Sequence, residues 1–364
     1  MRVFLSAGEA SGDLYAAALV REMRRLAPDR SFTFEGLGMA RLRSEGVDLV
    51  ADTSNWGAIG IPQALARAPH VLARLPKVAA RLRAGSPGLF VAVDFGYVNM
   101  RLCRTAKAAG WKVLYFMPPG AWQRGRTAGE LPPLTDAIST PFEWSARTLS
   151  EAGANAHWFG HPLLQIFGQA GIDGPRDGLA ILPGSRDHEL RLNLPITASV
   201  VRGWPEGVEF ALAPGADRDR ISAMWSRLAP DRRKDKFTVG AASDVLRRAM
   251  AALVCSGTAT LEAALADCPM VVIYRTGPLT HLQAYLAGFK GRSVSLPNIL
   301  LQRAVVPEFA GWRLRPAAIS TALRALMTDG NARNAQLEAF AEISTVLGPR
   351  DAVTRTAELA LGMA

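Results

Sequence analysis

Length and composition limit the classes of protein that this chain can belong to. It has 364 residues, 49% of them hydrophobic, and can therefore bury two sizeable cores. Its three cysteines (Cys103, Cys255 and Cys268) lack the paired spacing of a zinc site and predict small buried residues in a reducing compartment. No apolar run approaches the length of a membrane span, and the first residues lead directly into a strand pattern. We therefore expect neither a transmembrane helix nor a signal peptide.

The net charge of +10 is unevenly distributed. Between Asp52 and Glu130 the only acidic residue is Asp94. Basic residues recur throughout that interval: Arg67, Arg74, Lys77, Arg81, Arg83, Arg101, Arg104, Lys107, Lys112, Arg124 and Arg126. Such a field attracts phosphates or an anionic membrane, although a solvated helix face is the simpler alternative. Nucleic acid is not expected as a partner, because no basic run is interleaved with aromatic residues.

The chain opens with a short strand pattern, Val3–Ser6, followed by the turn Ser6-Ala7-Gly8-Glu9-Ala10-Ser11-Gly12-Asp13 and a helix over 14–26. Small residues let the backbone of this turn approach a ligand closely, so Ser11, Gly12 and Asp13 are predicted to contact substrate. The turn matches neither the dinucleotide fingerprint nor the Walker loop.

Strand and helix patterns then alternate along the chain. The other predicted strands are Ser31–Glu35, Leu89–Asp94, Lys112–Met117, Ala137–Ser139, Leu179–Leu182, Glu209–Ala213, Phe237–Val239, Ala251–Cys255 and Met270–Tyr274. This alternation is typical of doubly wound parallel sheets, here two of them. Clustered glycines and a proline between Gly168 and Gly178 predict a boundary between domains at 1–168 and 178–346.

The C-terminal stretch from Arg315 to Met363 predicts two or three helices, with breaks at Asp329-Gly330 and Gly348-Pro349. The last segment, 347–364, either returns to the first domain or reaches a second subunit.

The segment from Ile61 to Ala84 carries apolar residues interleaved with basic charges only. Pro69 and Pro76 are expected to kink or interrupt a helix there. Together with the nearby Trp56, this composition favours a surface that touches a membrane. The alternative is a packed helix with an arginine-rich outer face.

Two polar residues mark the first domain as a site of chemistry. Asp94 ends a buried strand pattern, and ligands of open parallel sheets bind beyond the carboxyl ends of strands. A carboxylate there could deprotonate a hydroxyl nucleophile, and the alternative is an aspartate that caps the next helix. His161, in Gly160-His161-Pro162, either lines a cleft between the domains or is a structural residue of the linker.

The second domain repeats the strand-turn-helix arrangement. Ser185 and Arg186 follow a strand and glycine, in position to contact a phosphate, unless the arginine pairs with Glu189 or Glu262. A second such turn offers helix N–H groups and hydroxyls to a diphosphate, and a carboxylate to ribose, although it could be an ordinary helix cap. Its predicted contact residues are Ser256, Gly257, Thr258, Ala259, Thr260 and Glu262.

Two further motifs of the second domain are less specific indications of a binding site. Asn298 offers an amide for hydrogen bonding in a cleft, or is a turn residue. Asp217-Arg218-Asp219 imitates a metal-binding pair, but it follows Pro214-Gly215 and is interpreted as a solvated helix start. We expect no catalytic metal.

In this order the motifs resemble those of the lipid-A-disaccharide synthase family. The segments that carry the resemblance are Ser6–Asp13, Asn99–Leu102, Gly160–Pro162, Leu182–Arg186, Ser256–Leu265 and Ser295–Ile299. The resemblance implies a GT-B fold, with two doubly wound Rossmann-like domains facing a cleft and C-terminal helices. It also implies transfer of 2,3-diacylglucosamine from its UDP form to 2,3-diacylglucosamine 1-phosphate, with inversion and release of UDP.

Carried onto this chain, the resemblance implies that Asp94 is the catalytic aspartate and that Arg186 and Asn298 act near the donor. Ser256–Glu262 would hold the uridine diphosphate. The expected partners are a UDP-linked acylated amino sugar, a lipid acceptor, the anionic cytoplasmic face of the inner membrane and a second copy in a homodimer. The UDP-sugar is a substrate, and no cofactor is expected.

The first domain departs from the family pattern in three places. The family's D-x-P-D/G-F-N is Asp94-Phe95-Gly96-Tyr97-Val98-Asn99 here, its S-P-S-V-W-A-W stretch is replaced at Met117–Trp122, and its M-G-x-x-E is replaced at Ile59–Gln63. These changes leave two alternatives: a transferase with another lipid-linked or amino-sugar acceptor, and a protein that binds a nucleotide sugar without turning it over. A UDP-sugar epimerase would instead form product from the donor alone.

Overall fold

The computed structural model describes residues 1–54, 56, 61–118, 128–168, 175–277, 293–328 and 330–363, with only the backbone of 61–67. The chain divides into two compact units. One comprises Met1–Gly168 and Leu347–Ala364, and the other comprises Gln169–Val346. Each unit contains a parallel sheet with its own buried apolar core.

The first unit is built on a seven-stranded parallel sheet in the order β3-β2-β1-β4-β5-β6-β7. Its strands are β1 (Arg2–Ala7), β2 (Thr33–Gly38), β3 (Asp48–Asp52), β4 (Leu89–Val93), β5 (Lys112–Phe116), β6 (Ala137–Thr140) and β7 (Ala156–Trp158). The chain moves outward in one direction from β1 to β3 and then returns to place β4 on the other side of β1. The strand order therefore reverses between β1 and β4.

Helices connect these strands and cover the sheet. They are α1 (Ala10–Leu26), α2 (Ala40–Ser44), α3 (Ile61–Arg83), α4 (Gly96–Ala108), α5 (Glu143–Glu151) and α6 (Pro162–Phe167), with short 3-10 turns at Ala128–Glu130 and Pro132–Leu134. The last helix of the chain, α14 (Ala352–Gly362), packs on α1. Gln165 holds its start, because the side-chain oxygen accepts hydrogen bonds from the N–H groups of Val353 (2.8 Å) and Thr354 (3.1 Å).

The second unit has a six-stranded parallel sheet in the order β10-β9-β8-β11-β12-β13. Its strands are β8 (Leu179–Leu182), β9 (Val208–Leu212), β10 (Lys236–Val239), β11 (Ala251–Cys255), β12 (Met270–Arg275) and β13 (Glu308–Gly311). Its helices are α7 (Asp187–Val200), α8 (Arg218–Leu228), α9 (Ala242–Arg248), α10 (Thr258–Leu265), α11 (Leu296–Leu301), α12 (Pro316–Thr328) and α13 (Gly330–Val346). The order reverses between β8 and β11, as it does between β1 and β4.

Three strands were not predicted from the sequence: β3, β7 and β13. All three lie at an edge of their sheet, and their residues are mostly half-buried or exposed. An edge strand needs no continuous apolar run, which is the signal that identified the central strands.

Helix α3 corrects one expectation, since it continues through both Pro69 and Pro76 without interruption. Both prolines lie on the exposed side, where water can satisfy the carbonyls that lose a donor. Val71, Val78 and Leu82 are buried in the core. Over the part of the helix whose side chains are described, one face thus packs in the core together with Trp56, and the other face is exposed and carries Arg74, Lys77 and Arg81. Ile59, Gly60, Arg124 and Arg126 lie outside the described residues, as does most of the predicted Met117–Trp122 motif.

The cysteines are all buried, and burial raises the pKa of each thiol to about 12. This confirms the prediction that they are small interior residues. Within the described ranges, no helix is both long and apolar enough to cross a bilayer.

Candidate functional site

The reversal between β1 and β4 brings two predicted site segments of the first unit together. Ala7 at the end of β1 is in register with Val93 at the end of β4, so the turn after β1 lies beside Asp94. A Cβ atom added to Gly12 would lie 3.5 Å from the Val93 carbonyl oxygen and 3.8 Å from the Asp94 Cβ. Helix α1 begins at Ala10, so Ser11 and Gly12 form its first turn rather than a preceding loop.

Asp94 begins a turn with an uncommon backbone conformation. Its φ is 50° and that of Phe95 is 55°, although neither residue is a glycine. The carbonyl oxygen of Asp94 accepts hydrogen bonds from Asn99 Nδ2 (2.8 Å) and from the Tyr115 hydroxyl (2.9 Å). The carboxylate of Asp94 is thus carried by a turn that buried side chains hold in place. Neither residue was predicted to have this role: Asn99 was named only as part of two family motifs, and Tyr115 lies inside an apolar strand pattern.

Asp13 has a structural role that the sequence did not reveal. Its side chain is buried, and the carboxylate accepts hydrogen bonds from the backbone N–H groups of Met39 (2.7 Å), Arg41 (2.9 Å) and Leu42 (3.3 Å). Burial raises the pKa of this carboxyl, although these hydrogen bonds act in the opposite direction. Because the carboxylate caps the start of α2, we omit Asp13 from the proposed substrate contacts.

His161 has a structural role, which was the alternative to lining a cleft. The ring is buried against Tyr15 and Phe142, and Nδ1 accepts a hydrogen bond from the Leu163 N–H (3.2 Å) at the start of α6. Burial lowers the pKa of His161 to about 3, so the imidazole is neutral at physiological pH. We therefore omit His161 from the proposed site as well.

The reversal between β8 and β11 creates the corresponding location in the second unit. Leu182 on β8 is in register with Val254 on β11, so the turns that follow the two strands are neighbours. The first turn carries Ser185 and Arg186, and the second begins at Ser256. The predicted phosphate-contacting segments of this unit therefore lie at the same edge of one sheet, as ligand sites of doubly wound sheets do.

The turn after β8 is organised around the buried carboxylate of Glu189. Its Oε2 atom accepts the backbone N–H groups of Ser185 (2.8 Å) and Arg186 (3.1 Å), and Oε1 accepts Arg186 Nη1 (2.7 Å). A Cβ atom on Gly184, whose φ is 110°, would lie 2.6 Å from Oε2. The pairing of Arg186 with Glu189, which was the alternative to a phosphate contact, is therefore present, and it holds the guanidinium beside the turn.

The turn after β11 combines an open glycine with two fixed hydroxyls. Gly257 has a φ of 142° and precedes α10, and a Cβ atom there would meet nothing within 4 Å. Ser256 Oγ donates to the Val294 carbonyl (2.6 Å), whereas Thr260 Oγ1 donates to the Gly257 carbonyl (2.8 Å). These two hydroxyls hold the turn, so an anion would be bound mainly through the first N–H groups of α10, at Thr258 and Ala259. Glu262 lies half-buried one turn further along.

The side-chain amide of Asn298 is hydrogen-bonded to a loop of its own unit. Its Nδ2 donates to the Val306 carbonyl (2.9 Å) and to Glu308 Oε1 (2.8 Å). Its Oδ1 accepts the N–H groups of Val305 (2.7 Å) and Val306 (2.9 Å). Because the amide is buried and both its nitrogen and its oxygen are already hydrogen-bonded within the protein, we assign Asn298 a structural role instead of the predicted catalytic one. Its neighbour Ser295 is bonded to Glu308 as well, at 2.5 Å between the side-chain oxygens.

The Asp217-Arg218-Asp219 motif is a helix start, as interpreted from the sequence. Asp217 caps α8 by accepting the Arg220 N–H (2.9 Å). Within the described ranges, no group of three or more His, Cys, Asp and Glu side chains is arranged to hold a metal ion.

Comparisons with known proteins agree with this arrangement. Among solved structures, the Methanocaldococcus jannaschii UDP-GlcNAc 2-epimerase in complex with UDP-GlcNAc and UDP has a TM-score of 0.61 at 10% identity, with 100% of both chains covered. The glycotransferase of kitacinnamycin has a TM-score of 0.60 at 15% identity, with 100% of this chain and 98% of the other covered. The two Rossmann-like units and these likenesses give the GT-B fold.

The sequence comparisons are more specific. The family described as "Lipid-A-disaccharide synthetase" matches residues 3–351. The lipid-A-disaccharide synthase of Myxococcus xanthus (strain DK1622) is 34% identical over 379 aligned residues, which cover 99% of this chain and 97% of the relative. The chain therefore belongs to the lipid-A-disaccharide synthase family.

Proposed function

We propose that this chain is a hexosyltransferase that synthesises lipid A disaccharide. The donor is UDP-2,3-diacylglucosamine, the acceptor is 2,3-diacylglucosamine 1-phosphate, and the products are the disaccharide and UDP. The observation that supports this proposal most is the position of the family's motifs. Within each sheet, segments far apart in sequence meet at the edge where the strand order reverses, and ligands bind there in doubly wound folds.

The second unit supplies the donor-side contacts in this proposal. The N-terminal N–H groups of α10 and the guanidinium of Arg186 bind the diphosphate, and Glu262 accepts hydrogen bonds from ribose hydroxyls. Positive charge from both sources stabilises the negative charge that develops on the departing UDP. Glu189 keeps the arginine beside the turn.

The first unit supplies the acceptor-side chemistry. The carboxylate of Asp94 accepts the proton of the acceptor hydroxyl as its oxygen forms the bond to the anomeric carbon of the donor. The bond from that carbon to the UDP oxygen breaks, its electron pair leaves with UDP, and the configuration is inverted. Ser11 and Gly12, in the first turn of α1, are the proposed acceptor contacts, because a Cβ atom on Gly12 would lie 3.8 Å from the Asp94 Cβ.

Helix α3 is the part of the first unit that we propose meets the anionic cytoplasmic face of the inner membrane. Arg74 and Lys77 are exposed on it, and Leu72 between the buried positions is 42% exposed. Binding of the wild type to phosphatidylglycerol vesicles should exceed binding to phosphatidylcholine vesicles and should fall with salt. The double variant Arg74→Glu/Lys77→Glu should lose this preference. The charge-matched control Arg227→Glu/Arg233→Glu on the second unit should keep it, and equal losses would reject α3 as the contact.

The last helix, α14, packs on α1 of its own chain, as one of the two alternatives for this segment had it. We also propose that the chain forms a homodimer. Sedimentation velocity across a hundredfold range of protein concentration tests it. A constant monomer value would reject the dimer.

The activity is tested by measuring UDP release in three arms: donor alone, donor with acceptor, and donor with acceptor and Asp94→Ala. The proposal predicts release only when wild type and acceptor are both present. Release from donor alone with an altered sugar would indicate an epimerase. UDP binding without release in any arm would indicate a nucleotide-sugar-binding protein, and release with a different amino-sugar acceptor would correct the acceptor.

A further inference from the structure

The backbone at Asp94 and Phe95 is unusual enough to need an explanation. Phe95 is left-handed, with φ 55° and ψ 47°, a conformation that L-amino acids other than asparagine and aspartate adopt rarely, and it directly follows Asp94, whose φ is also positive at 50°. Such a conformation persists where surrounding contacts impose it, and active sites are among the places where it clusters. The contacts that impose this one are therefore informative about what the turn is for.

Three contacts fix the turn. The Asp94 carbonyl oxygen accepts both Asn99 Nδ2 (2.8 Å) and the Tyr115 hydroxyl (2.9 Å), while the Asp94 N–H donates to the Phe116 carbonyl (3.2 Å). The polar groups on both sides of this residue's backbone are thus anchored to β5 or to α4. An anchored backbone limits where the carboxylate that it carries can move.

Asn99 extends this anchoring to the end of β1. The residue is fully buried, and its Nδ2 also lies within hydrogen-bond distance of the carbonyls of Ser6 (3.1 Å) and Val93 (3.2 Å). Its Oδ1 accepts the Ser6 hydroxyl (2.5 Å). One amide therefore joins the ends of β1 and β4, the two strands between which the sheet order reverses.

The ring of Phe95 packs directly against Gly8, where any side chain would clash with it. A Cβ atom on Gly8 would lie 2.0 Å from the nearest atom of this ring. The Trp56 ring lies on another side, with 6.1 Å between the ring centroids. Packing of Phe95 thus adds to the hydrogen bonds that hold the turn.

We propose that Tyr115 and Asn99 are positioning residues that fix the Asp94 carboxylate for proton transfer by holding the Asp94 carbonyl. The inference depends on the proposed role of Asp94. Tyr115 is almost completely buried, and burial raises its pKa well above the usual range, so its hydroxyl remains a donor at every working pH. Neither residue needs to touch the substrate.

The variant that tests this role is Tyr115→Phe, which removes one hydroxyl and keeps the ring. The matched control is Tyr15→Phe, the same change in another buried ring of this unit, which packs on Phe116. We expect Tyr115→Phe to lower kcat about tenfold, because misplacement of a catalytic group by a fraction of an ångström has effects of this order. KM for the donor should not change. Tyr15→Phe should keep kcat within about twofold.

A double-variant cycle separates positioning from a general loss of structure. If Tyr115 acts through Asp94, Tyr115→Phe should cost nothing further in the Asp94→Asn background, because residues acting as a unit are not additive. The same factor lost in both backgrounds would overturn the proposal, and so would an unchanged kcat in Tyr115→Phe. Equal losses in Tyr115→Phe and Tyr15→Phe would also overturn it. An inactive wild type would instead contradict the proposed function itself, so the two failures are distinguishable.

Discussion

Replacing Glu189 by glutamine tests the idea that a buried carboxylate organises the donor-side turn. Glu189 Oε2 accepts two backbone N–H groups, and Oε1 accepts the Arg186 guanidinium. The glutamine oxygen can take the place of Oε2, but its NH₂ group must then face the guanidinium, which offers only donors. Glu189→Gln therefore loses the ion pair while keeping the side chain's shape.

The magnitude follows from the type of bond that is lost. A hydrogen bond to a charged group contributes about 1.5–3 kcal/mol, and here the side chains of Arg186 and Glu189 are only 22% and 9% exposed. We expect the free energy of unfolding to fall by about 2 kcal/mol in urea titrations. UDP affinity, measured by calorimetry, should fall about tenfold, which corresponds to about 1.4 kcal/mol.

The control is Asp187→Asn, the same chemical change two positions earlier. Asp187 pairs with Arg220, but both side chains are more than two-fifths exposed. Exposed pairs contribute little, so we expect less than about 1 kcal/mol and no change in UDP affinity. In the Arg186→Ala background, Glu189→Gln should cost about 1–2 kcal/mol less than in the wild type. Equal effects of Glu189→Gln and Asp187→Asn, or no coupling to Arg186, would refute the reasoning.

Three further predictions concern residues with structural roles. Gly184→Ala should lower the free energy of unfolding by about 1–3 kcal/mol, because φ is 110° and the added Cβ would displace the Glu189 carboxylate. The control is Gly203→Ala, where φ is also positive (69°) but the added Cβ would meet nothing within 4 Å. This control should keep UDP affinity, so it separates backbone strain from displacement of the carboxylate. Asp13→Asn should lower the urea midpoint by the equivalent of about 1–3 kcal/mol, because an amide cannot accept all three α2 N–H groups, and an unchanged midpoint would reject the capping role. His161 has a pKa of about 3 when folded and about 6.5 when unfolded, so its contribution to stability is complete above pH 6.5 and is lost as pH falls. The stability advantage of wild type over His161→Asn should shrink by about 1.4 kcal/mol between pH 7.5 and 5.5, and a pH-independent difference would contradict the burial of a neutral imidazole.

The central strands and the strand-to-helix turns that follow them could be predicted from local signals. Continuous apolar runs marked β4, β8 and β11, and a polar turn after each run marked the edge at which ligands bind. The edge strands that were not predicted, β3, β7 and β13, carry no such run. Their pairing depends on neighbours that are distant in sequence, which a local pattern does not encode.

The roles of polar residues were harder to predict for the same reason. Asp13 is bonded to backbone at Met39–Leu42, and Asn298 to backbone at Val305–Val306. A motif shows that such a residue is polar and beside a turn, but not whether its hydrogen-bonding groups are already satisfied by the protein. Tyr115 is the opposite case, because a tyrosine inside an apolar strand gives no sign that its hydroxyl holds the Asp94 carbonyl.

The structure of the lipid product tests the central claim most directly. Wild-type protein would be incubated with UDP-2,3-diacylglucosamine and 2,3-diacylglucosamine 1-phosphate, and the extracted lipid would be analysed by mass spectrometry and NMR. The account predicts a disaccharide that carries a single phosphate, with the new linkage inverted relative to the donor, and a much lower yield from Asp94→Asn. A lipid product that lacks the phosphorylated sugar of the acceptor would contradict the account. So would a retained configuration at the new linkage, or equal yields from wild type and Asp94→Asn.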